Sequence, residues 1–165
     1  MVKVINAAQP GFSAPMTEED AENFLANNND KLLLHLATVD QKGEPTVAPT
    51  GYYFDADTNK IYIATHKSSR KVRDLRRIKN IISYCVDDPI SPYKGVRGKG
   101  KVKIHGEEED IDHNITIGKK LAMGRIESLE DPMAKWLLGE IEKGSEIILE
   151  ITPSYYSTWD YSKTR

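Results

Sequence analysis

The stretch IYIATHKSSRKVRDLRR, Ile61–Arg77, decides how this chain is to be read. Its opening, IYIAT, has the β-branched and aromatic composition of a strand. A Ser68-Ser69 turn follows, and the remainder predicts a helix over about Ser69–Lys79, with Val72, Leu75 and Ile78 as the apolar stripe that packs on a sheet. Lys67, Arg70, Lys71, Arg73, Arg76 and Arg77 lie in or beside that helix start, opposed by Asp74 alone. A helix N-terminus already carries roughly half a positive charge, so first-turn cations are each unfavourable by a few tenths of a kcal/mol. Strand-to-helix turns also present free backbone N–H groups that bind phosphate well. Thr65, Ser68 and Ser69 add hydroxyls, and His66 follows Thr65 in the loop. Lys71 lies four residues before Leu75, so its stem borders the buried face and its ammonium reaches back to the turn, while Arg70 points toward the turn's opening. Two readings stand: a site for a phosphate monoester, or a solvated basic face that keeps the helix in water.

Outward from this stretch the chain is mainly β. Upstream, residues 31–65 hold three β-rich runs separated by turn signals at Asp40–Gly43 and Asp55–Asn59, which predicts an antiparallel meander. Downstream, IISYCVDD is a fourth strand, KGVRGKGKVKIHGE a long fifth, and SEIILEITPSYYSTWDY a sixth with an aromatic tail. Residues 109–143 read as helical, broken at Gly124 and restarted near Pro132, where proline suits a first turn. Thr17 is a natural N-cap for the acidic helix TEEDAENFLA, which Asn27–Asp30 terminate. Residues 1–16, with two prolines and a glycine, read as an arm or strap before a single domain over 17–165. Six mostly antiparallel strands with interposed helices predict a closed or partly closed β-barrel with flanking helices. So many strands in 165 residues need closure or dimerisation to hide their edges. The strand order is not doubly wound and there is no GxGxxG, which argues against a dinucleotide fold of the usual kind.

A net charge of −2 and a pI near 6.1 argue against general binding to nucleic acid or to anionic membranes. Cys85 is the one cysteine, so no intramolecular disulfide and no cysteine zinc site can form, and a reducing, cytoplasmic setting is expected. The first residues lack the apolar core of a signal peptide, and no run approaches ~18 apolar residues.

Single residues sort as follows. From Val96 to Ile104, Arg97, Lys99, Lys101 and Lys103 alternate with small or apolar residues, which places four cations on one strand face. That face is either a groove for an anionic tail or a solvated surface whose lysines blunt an edge. Gly98 and Gly100 leave room for a bulge or for another backbone or ligand. His35, flanked by leucines, and Trp136, in AKWLLGEI, are expected in the core, and Cys85 as a small buried strand residue. His105 and His113 have no companions at metal-ligand spacing, and without HExxH a metal centre is not expected. No GxSxG is present either.

Taken together, LATVDQKGEPTVAP, IYIATHKSSRKVRDLRR, IISYCVDD, PYKGVRGKGKVKI and ITPSYYSTWDY resemble the pyridoxamine 5'-phosphate oxidase-like flavin-binding split-barrel superfamily, over roughly Lys31–Tyr161 without the helices at 109–143. The resemblance implies a six-stranded antiparallel split barrel. It implies that Thr65, Ser69, Arg70 and Lys71 grip the phosphate of FMN, with His66 beside them. It implies further that the strand Val47–Tyr53, with Pro49 and Thr50, passes along the flavin ring. Pro49 falls where the true oxidases carry a phosphate-binding arginine. Arg97, Lys99 and Trp159 would come from the partner of a homodimer whose cofactor lies at the subunit interface. The chain lacks the terminal Arg-x-His element of the true oxidases, and Arg165 alone cannot replace it. The implied activity is thus hydride transfer between a flavin and a small organic substrate, as in the flavin and deazaflavin reductase branch. The alternatives are use of the deazaflavin coenzyme in place of FMN, and a non-catalytic flavin- or haem-binding role in which His35 or His66 would be the axial ligand.

Overall fold

The computed structural model describes residues 1–7, 14–78 and 80–163. Its strands are β1 Lys3–Asn6, β2 Leu34–Val39, β3 Pro45–Thr50, β4 Tyr53–Asp55, β5 Lys60–His66, β6 Ile81–Asp88, β7 Lys94–His105, β8 Glu146–Pro153 and β9 Tyr155–Asp160. Helix α1 spans Glu18–Asn27, α2 Arg70–Arg77, α3 Ile111–Met123 and α4 Pro132–Glu142. The sheet runs β3-β2-β6-β7-β8-β5-β4, and β7 also carries β9, to which β1 adds in parallel. The other strand pairs are antiparallel. Its two ends, β3 and β4, follow one another through Gly51-Tyr52, so the sheet curls toward closure and leaves a split between them.

Period-2 alternation fills the barrel with Leu34, Leu36, Ile61, Ile63, Val86, Val96, Leu149 and Ile151, all fully or almost fully buried. Helix α1 stoppers one end with Ala21 and Leu25, and the buried Tyr52 hydroxyl donates to the Leu25 carbonyl at 2.8 Å. Helix α2 seats Val72 and Leu75 in the same core, and Thr38 of β2 donates to the buried Asp74 carboxylate at 3.3 Å. Helices α3 and α4 lie outside the barrel. Ile117 and Leu121 of α3 cover the outward Tyr62 and Ile148 in a second cluster. Helix α4 starts at Pro132, with Asp131 capping it, and Gly144 at φ +70° turns the chain into β8.

The six expected runs are present; the additional strands have local causes. Gly51-Tyr52 divides one run into β3 and β4, Ser154 divides another into β8 and β9, and residues 3–6 of the arm form β1. Residues 8–13 of that arm, Lys79, Thr164 and Arg165 lie outside the described residues.

Three expectations about burial are corrected. His35 is exposed: Leu34 and Leu36 point inward, so the residue between them points out. Trp136 is 55% exposed, because α4 buries the line through Ala134 and Ile141 and Trp136 falls off it. Ile78 is exposed because α2 ends at Arg77 and Ile78 is already extended.

Candidate functional site

The geometry at the β5–α2 turn begins with alternation along β5, which sends Thr65 into the barrel and His66 to the outside. Thr65 donates through its hydroxyl to that of Ser69 at 3.1 Å, and the Ser69 amide closes the turn on the His66 carbonyl at 2.9 Å. Ser69 is the N-cap of α2, yet its hydroxyl caps nothing, so the first-turn amides of this helix receive no side-chain acceptor from it.

The two first-turn cations diverge. Arg70 is engaged: its Nη2 is 3.3 Å from Asp40 Oδ2 in the β2–β3 turn, and its Nε is 3.9 Å from Asp74 Oδ2. Asp40 thus joins Asp74 in opposing the basic helix. Lys71 turns the other way, toward β8. It is half-buried, burial lowers its pKa, and the charge acting against that shift is Glu146. Glu146 is itself buried, and burial raises its carboxyl, with His66 and Lys71 pulling it back down. Both groups are pushed toward neutrality, the signature of a site short of compensating charge. A half-buried ammonium beside an uncapped helix start fits a phosphate dianion, whose charge would stabilise the Lys71 ammonium and the positive helix end while pushing the Glu146 carboxyl further up.

A model of the pyridoxamine 5'-phosphate oxidase family matches residues 18–160. The chain belongs to this family. Similar solved structures include the conserved hypothetical protein Rv2991 from Mycobacterium tuberculosis, at 20% identity and TM-score 0.70 over 94% of this chain and 91% of that one. An F420 reductase is similar at 22% identity and TM-score 0.59, over 82% and 94% of the two chains. A FAD-binding protein from Mesorhizobium loti is similar at 17% identity and TM-score 0.60, over 90% and 97%. At these identities the likeness is one of fold. No curated protein matches the chain significantly.

In this pyridoxamine 5'-phosphate oxidase family member, two further surfaces accompany the turn. The first is a cavity of about 250 Å³ at the split, between the end of β3 and β5, roofed by α3 and α4. Thr50, Gly51, Ala64, Leu121 and Met133 line it, and Arg125, which donates to the Leu32 carbonyl, closes one side. A Cβ on Gly51 would lie 3.0 Å from Arg125 Nε, so glycine there lets the guanidinium approach the strand. Ala64 and His66 share one face of β5 two residues apart, roughly 7 Å along the strand. The apolar cavity and the charged turn therefore occupy neighbouring positions on one strand. Of these lining residues the sequence pointed to Thr50 and, within the strand Val47–Tyr53, to Gly51. Leu121, Arg125 and Met133 sit in the helical stretch whose packing partner no local pattern reveals.

The second surface is a groove of about 410 Å³ on the outer face of β2, β3, β6 and β7. Register places Pro49, His35, Cys85, Arg97 and Ser157 in one cross-strand row along it. The Cys85 thiol is pushed up to about 11 by burial and then by Asp87, so it is no nucleophile at neutral pH. Arg97 and Lys99 are exposed here, away from the Thr65–Lys71 turn of the same chain. Trp159 lies half-buried against Gly95, its ring 6.0 Å from the Arg97 guanidinium. Gly98 and Gly100 are filled from within: a Cβ at Gly98 would meet the Tyr155 carbonyl at 2.2 Å, and one at Gly100 would meet Ile151 at 2.7 Å. The room they make is taken by the chain itself. No helix among the described residues is long and apolar enough to cross a membrane.

Proposed function

We propose that the chain is a homodimeric flavin-dependent oxidoreductase that holds FMN by its phosphate at the β5–α2 turn. The observation that carries this reading is Lys71, a half-buried ammonium with no carboxylate in ion-pair contact among the described residues, at the first turn of a helix whose N-cap makes no side-chain capping bond. Lys71, the α2 amides and the Thr65 and Ser69 hydroxyls would hold the phosphate, with His66 flanking it. The split cavity, with Thr50 and Ala64 on its walls, is the apolar site next to the turn that a ring system would fill. When bound, the cofactor supplies hydride transfer with a small organic substrate. The chain's contribution is to grip the phosphate, keep water off the apolar walls and orient the ring. The F420 reductase and FAD-binding neighbours support a cofactor of the flavin type.

Titrating purified protein with FMN, riboflavin and the deazaflavin coenzyme tests this. FMN should bind at least tenfold tighter than riboflavin, and equal affinity for both would sink the phosphate-turn reading. The deazaflavin coenzyme is the second reading, favoured by one observation: exposed Lys101 meets Arg76 and Arg77 of α2 in a basic groove fit for an acidic tail. Preference for that coenzyme, abolished by neutralising Lys101 and Arg76, would establish it instead.

The dimer is proposed through the outer sheet face, where Val47 is 61%, Ile81 53% and Val39 42% exposed. Apolar side chains on adjacent strands make a patch that a second copy would cover, placing its Arg97, Lys99 and Trp159 near this chain's site. Val47→Asp should convert a dimer to a monomer in sedimentation velocity and weaken flavin binding with it. A wild-type monomer that binds FMN tightly would remove the partner from the site.

A further inference from the structure

On the outer side of β7 and β8, remote in sequence from the flavin turn, three residues that share no motif converge. His105 ends β7 and is 5% exposed, Glu150 lies in the middle of β8, and His113 stands in the first turn of α3. One ligand atom from each lies within 4.8 Å of those of the other two. His105 Nε2 is 2.9 Å from Glu150 Oε2, and the two imidazoles stack at 4.3 Å. We propose that His105, His113 and Glu150 form a binding site for one first-row divalent cation of the zinc class.

Two nitrogens and one carboxylate oxygen are a donor set suited to Zn²⁺, and three protein ligands leave a coordination position for water. Ligand atoms around a tetrahedral zinc lie about 3.4 Å apart, from metal–ligand lengths of roughly 2.1 Å. The widest pair, no more than 4.8 Å apart, must therefore close by at most about 1.4 Å. A rotation of the part-exposed His113 side chain supplies that movement.

The surroundings match an outer coordination sphere. A ligating histidine normally gives its second nitrogen to a carboxylate. Asp110 Oδ1 stands 3.5 Å from His105 Nδ1, and Asp110 Oδ2 is itself held by the Glu107 amide at 3.1 Å. The Asn114 side-chain amide donates to the His105 carbonyl at 2.8 Å and so fixes β7 to α3. Lys60 takes the other oxygen of Glu150 at 2.6 Å, leaving Oε2 directed at the cluster. Its charge opposes a cation, but Lys60 reaches solvent and binds the far oxygen. A buried histidine between two carboxylates would be complete as an ion-pair bridge. His113 also meets Asn114 Oδ1 at 3.3 Å and the Tyr62 ring, but the convergence of its ligand atom with those of His105 and Glu150 is what a shared metal ion would use.

Chelator-stripped full-length protein titrated calorimetrically with Zn²⁺ should bind one equivalent per chain. Co²⁺ should give visible d–d bands without a thiolate charge-transfer band, which excludes Cys85 as the ligand. His113→Ala should lower affinity more than tenfold and Asp110→Asn about tenfold. Each variant's fold is checked by circular dichroism. Selective shifts of the His105 and His113 ring resonances on adding Zn²⁺ to the wild type decide the matter should a variant unfold. No saturable binding by the wild type, equal affinity in folded His113→Ala, or unmoved ring resonances would overturn the site. None of these readouts depends on flavin.

Discussion

Lys71→Ala should weaken FMN binding by roughly 1.5–3 kcal/mol, about 10- to 150-fold, while leaving riboflavin affinity unchanged. The size follows from the environment. Lys71 is half-buried, so its attraction to phosphate is poorly screened, and its own desolvation is already borne by the folded protein. Arg70 is a weaker candidate for the same role, because Asp40 and Asp74 already occupy its guanidinium. Arg70→Ala should therefore cost distinctly less. Removing Lys71 also strips Glu146 of a charge that pulls its raised carboxyl pKa down, so the melting temperature must be followed alongside. Riboflavin is the internal control: parallel loss of both ligands would mean that the variant had damaged the fold and not the phosphate contact. An unchanged affinity for FMN would remove Lys71 from the site.

The largest effect on stability should come from Gly98→Ala. The new methyl would lie 2.2 Å from the Tyr155 carbonyl oxygen and 2.8 Å from Tyr84 Oη. Neither can yield cheaply. The carbonyl is backbone, and the Tyr84 hydroxyl donates to that same carbonyl at 3.2 Å from a ring that is 2% exposed. Overpacking of this kind costs about 1–3 kcal/mol, and the lost hydrogen bond adds about 1. Chemical denaturation should show a lowered midpoint with an unchanged slope. Lys99→Ala, one residue along on the exposed face, should stay within about 0.5 kcal/mol of wild type. A Gly98→Ala protein as stable as the wild type would mean that β6, β7 and β9 do not meet as described.

What the sequence made legible was local and periodic. The strand runs, the capped helix at Thr17, the restart at Pro132 and the charged turn are each written in adjacent residues. The alternation of β7 was readable for the same reason: Arg97, Lys99, Lys101 and Lys103 are exposed and the residues between them face inward. His35 shows the limit. Its leucine neighbours suggest an apolar setting, but in a strand the neighbours define the opposite face. Trp136 was misplaced because an apolar run on a helix does not say which line through it meets the protein. The glycines of β7 were legible as close approaches, though not as approaches of the chain to itself. His105, His113 and Glu150 were out of reach, since Glu150 joins the histidines only through the β7–β8 register. The same holds for the split cavity, whose walls come from β3, β5, α3 and α4.

The register of the sheet has a kinetic side. Ile61 meets Ile151 and Val4 meets Tyr156, so the pairs that close the barrel join distant parts of the sequence. High contact order of this kind slows folding, because loop closure is costly before those contacts can form. The meander β2–β3 and the pair β6–β7 can assemble early from near neighbours, but β5 and the free edge of β7 must wait for β8, which follows α3 and α4. During synthesis the half-built sheet therefore carries open edges and uncovered apolar faces until β8 docks. That interval is the chain's greatest exposure to misassembly.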